Sequence, residues 1–223
     1  MQFVAQLNWI LVGAIALAVM PAAAQSYPAR PVRLVVPFPA GGSVDSVARL
    51  VAQRLFQGRP QSVTIDNRPG GGSNIGAALV ARSAPDGYAL LLTSSTQAIN
   101  VTLYSKLTYN LEKDFIAVGP IANSPAILVV HPSLPVKSVR ELIVLAKSRP
   151  GELTYASSGS GSTAHLAGEL LNMLAGIELR HIPYKGAPPA QTDVMGGNVH
   201  SMFGFTSSGV LTHIRSGKLR ALG

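Results

Sequence analysis

Val35-Val36-Pro37-Phe38-Pro39-Ala40-Gly41-Gly42-Ser43-Val44-Asp45 leads from an apolar strand through a glycine turn into an amphipathic helix. Upstream, Val32 to Val36 is short and apolar. Downstream, Val44, Val47, Ala48, Val51, Ala52 and Leu55 recur at helical spacing, which leaves Asp45, Arg49 and Gln53 on another face. Tyr155-Ala156-Ser157-Ser158-Gly159-Ser160-Gly161-Ser162-Thr163-Ala164-His165 follows the same plan. The first N–H groups of a helix have no intrahelical partner, and the helix dipole places partial positive charge beside them. Each turn is therefore suited to hold a carboxylate or phosphate without a dedicated cation, and two such turns face to face would grip one anion from both sides.

Outward from these turns, strand-like and helix-like segments alternate, which predicts an α/β protein with mostly parallel sheets. Ligands of such sheets sit at the carboxyl ends of the strands. A strand is expected at Val63 to Ile65, then a turn at Asn67 to Ser73 and a helix over Asn74 to Ser83. Strand Ala89 to Leu92 ends in the polar run Thr93-Ser94-Ser95-Thr96-Gln97. Two apolar, sheet-forming runs follow, Ile116 to Ile121 and Ala126 to Val130. The break between them, Asn123-Ser124-Pro125, marks a domain crossover. Ser138 and Glu141 have the spacing of a capping box. Beyond the second glycine turn come a helix carrying Leu166, Leu170, Met173 and Leu174, strand Leu179 to Ile182 and helix Pro189 to Met195. Strand Val199 to Phe205, helix Val210 to Arg215 and strand Leu219 to Leu222 complete the order.

The composition of the 223 residues, 47% hydrophobic and 13% charged, fits one large or two small globular domains and excludes global disorder. No cysteine is present, so disulfides, thiolate metal sites and cysteine nucleophiles are ruled out. The apolar run Ile10 to Met20 followed by Pro21-Ala22-Ala23-Ala24-Gln25 reads as a secretory signal cleaved after Ala24, although no Lys or Arg precedes it; an uncleaved anchor or a mis-assigned start is the alternative. The net charge is +8, from 18 basic and 10 acidic residues. These basic residues are scattered singly, which argues against nucleic acid; a field that attracts anions and a solubilising surface both fit.

Other chemistries find little support in the spacing. Gly70-Gly71-Gly72-Ser73-Asn74-Ile75-Gly76 misses the G-x-G-x-x-G pattern of dinucleotide sites, because position 75 is isoleucine. His131, His165, His181, His200 and His213 show no metal-binding spacing. A hydrolase or transferase using Ser158 or Ser160 with His165 is the alternative function, although no G-x-S-x-G elbow is present. Asp45 is expected to stabilise its helix N-terminus, order the loop or meet an amine on the ligand.

Several motifs together resemble one family. They are Arg33-Leu34-Val35-Val36-Pro37-Phe38-Pro39-Ala40-Gly41-Gly42, Asn67-Arg68-Pro69-Gly70-Gly71-Gly72, Ala84-Pro85-Asp86-Gly87-Tyr88, Tyr155 to Gly159, His165-Leu166-Ala167-Gly168-Glu169, Pro183-Tyr184-Lys185-Gly186 and Gly217 to Leu222. In this order they resemble the substrate-binding receptors of tripartite tricarboxylate transporters, the TctC-like or Bug family. The resemblance implies a periplasmic, non-enzymatic, monomeric receptor of type II-like architecture, with a signal at 1–24 and domains at 27–123 and 124–223. It implies closure of the two domains around a small carboxylate solute and delivery to the membrane components of a transporter, with no cofactor, metal or nucleic acid. The implied ligand residues are Phe38, Ala40, Gly41, Gly42, Ser43, Val44 and Asp45 in the first turn. Thr93, Ser94 and Ser95 form the third loop, and Ser157, Ser158, Gly159, Ser160, Gly161, Ser162, Thr163 and His165 the second turn. His200 and Gly204 to Ser208 depart from the family pattern, and the family continues past Gly223, which implies an incomplete first domain here.

Overall fold

The computed structural model describes residues 27–55, 57–58 and 61–222. The expected signal, 1–24, lies outside these residues. Two sheets organise the chain.

In the first sheet, β1 (Val32–Val36) lies between β2 (Val63–Asn67) and β3 (Ala89–Leu91), all parallel. Val32, Leu34, Val35 and Val36 are all buried, as expected of a central parallel strand covered on both faces. Arg33 escapes that environment by pairing with Asp66 on β2. Helix α1 (Ser43–Leu55) follows β1, α2 (Asn74–Ala81) follows β2, and α3 (Thr96–Leu103) follows β3. The core beneath α1 joins Leu34, Val36, Ala48 and Leu92 with Phe38, Val44, Val51 and Ile65.

The second sheet has the order β6-β5-β7-β4-β8, formed by β4 (Ala126–Val130), β5 (Thr154–Ser157), β6 (Arg180–Pro183), β7 (Ser201–Phe205) and β8 (Arg220–Ala221). β5 runs parallel to β6 and β7, whereas β4 runs antiparallel to β7 and β8, so this sheet is mixed. Successive strand residues feed opposite cores: Leu128, Val130 and Tyr155 on one face, Val129, Ala156 and Met202 on the other. Helices α4 (Val139–Ser148), α5 (Thr163–Ala175), α6 (Ala187–Met195) and α7 (Val210–Arg215) cover the two faces. At α4, Ser138 Oγ accepts the Glu141 N–H at 3.2 Å, while Glu141 Oε2 accepts from Lys137 N, one residue earlier than in a reciprocal capping box.

Two expectations fail. Ile116 to Ile121 forms no strand, and Ile116 and Val118 are 93% and 91% exposed. Its composition favours β structure, but a strand also needs a neighbour for its backbone groups, and no described strand pairs with it. Conversely, Thr96 to Leu103 forms α3, where a polar run had pointed only to a loop.

Candidate functional site: two matched turns in one seam

The first turn owes its shape to Gly41, which adopts φ +77°, a conformation that glycine enters at no steric cost. Gly42 N–H donates to Pro39 O, closing the turn, and Ser46 N–H donates to Gly42 O, starting the helix. Gly41 N–H donates to Asp45 Oδ2 at 2.9 Å. That carboxylate is buried and also accepts from Arg49 Nε and Asn67 Nδ2, each at 2.9 Å. Burial pushes Asp45 up, but the bonds from Arg49, Gly41 and Asn67 outweigh it and hold the group below its ordinary 3.8. Its side chain therefore orders the loop. Phe38 and Val44 turn their side chains into the first core, leaving backbone groups, Ala40 and Ser43 as the parts of the turn that can meet a ligand.

The second turn repeats this backbone 120 positions later. Gly161 also has φ +77°, Ser162 N–H donates to Gly159 O, Leu166 N–H donates to Ser162 O, and α5 has the same 13-residue length as α1. Gly161 N–H donates to His165 Nδ1 at 3.1 Å, as Gly41 does to Asp45. One difference is a cap: Ser162 Oγ accepts the His165 N–H, an option absent at Gly42.

Behind the second turn lies a polar cluster. Ser157 Oγ accepts the Gly159 N–H at 3.1 Å and lies 2.6 Å from His181 Nε2. The His181 ring stacks on His165, with centroids 4.0 Å apart, and on Tyr155 at 5.0 Å. Tyr155 OH donates to Glu169 Oε1 at 2.6 Å, and burial followed by this carboxylate raises the phenol well above its usual range. Burial and the neighbouring His165 push His181 down to about 4, with Glu169 opposing them. Between its ordinary 6.5 and 4, the folded chain thus binds fewer protons here than the unfolded chain. This contribution to stability is complete above pH 6.5 and lost as pH falls to about 4. After allowance for solvent screening of a half-buried ring it is about 2 kcal/mol. Thermal melts from pH 7 to 4 should show this loss, and His181→Gln should flatten the profile over that interval.

Both turns meet one seam between the sheets. A Cβ placed on Gly186 would overlap the Pro39 ring of the first turn, and one on Gly159 would lie 3.3 Å from Tyr184 O. The segment Tyr184–Gly186 thus touches both turns. Ser95 Oγ is 3.0 Å from Thr163 Oγ1, and Leu103 packs directly against Gly161. Thr206–Ser208, a 3-10 turn after β7, packs against α1. Thr93 and Ser94 stay within the first lobe, bonded to Gln97 and Thr96. A surface groove of about 420 Å³ lies elsewhere, along Arg49, Gln53, Gln57 and Val63. Neither glycine turn lines it, so the seam is the candidate site.

The sequence model described as tripartite tricarboxylate transporter family receptor matches residues 47–223, from within α1 through the whole second turn. The chain belongs to the tripartite tricarboxylate transporter receptor family. It is 43% identical to protein BugT of Bordetella pertussis over 204 residues, covering 91% of this chain and 62% of BugT. Among solved structures it is similar to R. palustris Rpa4515 with adipate (40% identity, TM-score 0.85, 88% of this chain and 66% of that one). It is also similar to MatC from Rhodopseudomonas palustris with bound malate (31%, TM-score 0.81, 88% and 67%). The chain spans about 60% of the length of the curated relatives it matches. The α/β architecture with its mixed sheet agrees with these receptor structures.

Against this family background the serine-hydrolase alternative finds no support. His165 Nδ1 is engaged by Gly161 N–H, and the serine of the second turn that meets a histidine ring is Ser157, which is fully buried and faces His181. His200 precedes β7, at the end of the sheet remote from the turns, where its Nδ1 accepts the Thr154 N–H. It therefore does not line the seam. Sequence spacing missed His181 and Asn100, and marked Gly204 to Ser208 only as a departure from the family pattern. The position of that last stretch, after a strand's carboxyl end, is a second signal for it.

Proposed function

We propose that this chain is an extracytoplasmic receptor. It holds the carboxylate of a small solute between the two matched turns and delivers the solute to the membrane components of a tripartite transporter. The observation that carries this reading is the repeated strand–turn–helix backbone, used twice and turned toward one seam. Ser43, Val44, Thr163 and Ala164 occupy first-turn positions of 13-residue helices, where amide hydrogens and the dipole favour an anion. The names of the adipate- and malate-bound relatives fit a carboxylate ligand. Residues 27–123 and 124–223 act as two domains that hinge about the Asn123-Ser124-Pro125 break, as a monomer in the periplasm. The chain performs no bond chemistry and needs no cofactor.

A calorimetric and thermal-shift screen of mono-, di- and tricarboxylates tests this. At least one carboxylate should bind and raise the melting temperature, while nucleotides do neither. Stabilisation by a nucleotide and by no carboxylate would reject the proposal.

A further inference from the structure

Asn100, on α3, is fully buried. Its Nδ2 donates to Gly72 O at 2.7 Å and to Asn74 Oδ1 at 2.8 Å, and Asn74 Oδ1 also accepts from Tyr109 OH at 2.7 Å. Two acceptors on one side fix the orientation of the amide, because the flipped form would set oxygen against oxygen. The Oδ1 therefore points the other way, where no described group donates to it. It lies 3.5 Å from the place a Cβ on Gly161 would take, facing the second turn across the seam. Leu103, one turn along α3, supplies an apolar wall against the same glycine.

A carboxylate has only acceptors, so the seam's amide hydrogens can serve it and Asn100 Oδ1 cannot. A buried carbonyl left without a donor is costly, and a site built around one rejects ligands that cannot supply it. We infer that Asn100 Oδ1 accepts a hydrogen bond from the solute. The preferred solutes are accordingly carboxylates that also carry a hydroxyl or ammonium group, rather than plain acids. This rests on the receptor reading above and adds a class of solute to it.

Matched acids of three to six carbons, in plain, hydroxy, amino and methoxy forms, test it by calorimetry. One such set is succinate, malate, aspartate and 2-methoxysuccinate. In the set that binds, the hydroxy or amino member should bind roughly ten- to a hundredfold more tightly than both the plain and the methoxy members. The plain form is smaller and the methoxy form larger by one methyl, and both lack the donor, so weakness of both separates hydrogen bonding from fit. In Asn100→Leu the members of a set should become equal, whatever the overall affinity. In Asn100→Asp, which keeps an acceptor, the amino member should gain on the hydroxy member. Because each comparison is a ratio within one protein, partial unfolding of a variant does not blur it. Equal binding of all members by the unmodified chain would overturn this inference alone, showing that water or the protein serves Oδ1. Failure of every acid to bind would overturn the receptor reading and this inference with it.

Discussion

Gly168→Ala is expected to lower the melting temperature by about 6–12 °C, corresponding to about 3 kcal/mol for a chain of this size. A methyl group on Gly168 would overlap Cε2 and Cζ of Tyr155 and lie 2.8 Å from its Cδ2. That ring cannot swing aside: it is buried in the second core, its hydroxyl is bonded to Glu169, and its face is stacked on His181. Overpacking a site with a pinned neighbour forces the backbone to move. The displacement also travels to the site, since His181 supports Ser157 and hence the Gly159 bend. Thermal denaturation checks the stability term. Adding Tyr155→Leu to the same chain should recover part of it, and a melt unchanged by Gly168→Ala would contradict the packing described for α5.

Gly161→Ala should weaken binding of the tightest carboxylate by about tenfold to a hundredfold while changing stability less than Gly168→Ala does. Two effects combine. At φ +77° a side chain strains the backbone by about 1–2 kcal/mol, and the new methyl would overlap Leu103 Cδ2 from the opposite lobe. Leu103 is a flexible, half-exposed neighbour, so it yields, and the cost falls on closure of the seam. Leu103→Ala in the same chain should restore the part due to overlap and leave the part due to strain. Calorimetry on the single and double variants separates the two. Undiminished affinity in Gly161→Ala would mean that the second turn does not close on the solute.

Much of the fold was legible because its signals are local. The buried run Val32 to Val36, the helical spacing from Val44 to Leu55 and both glycine turns depend on residues close in sequence. Helix α3 was not legible. Thr96, Ile99, Val101 and Thr102 are β-branched, and the Ser95 side chain makes no capping bond; tertiary bonds from Gln97 to Ser73 O and from Asn100 to Gly72 O hold it. Ile116 to Ile121 misled for the opposite reason, since its residues favour a strand but pairing lies beyond local composition. At the site, the turns were visible as motifs. His181 was not, because it lies 24 positions from Ser157 and reaches it only through the register of β5 with β6.

The backbone mould shared by residues 40–45 and 160–165 is fastened by a carboxylate in one copy and an imidazole in the other. Form and charge are thereby uncoupled: the two grips are alike in contour, while one is fastened by an anion paired with Arg49 and the other by a ring nitrogen that accepts the same kind of N–H. Exchanging only these fasteners would offer a way to retune which anions such a protein retains without redrawing the cradle that surrounds them.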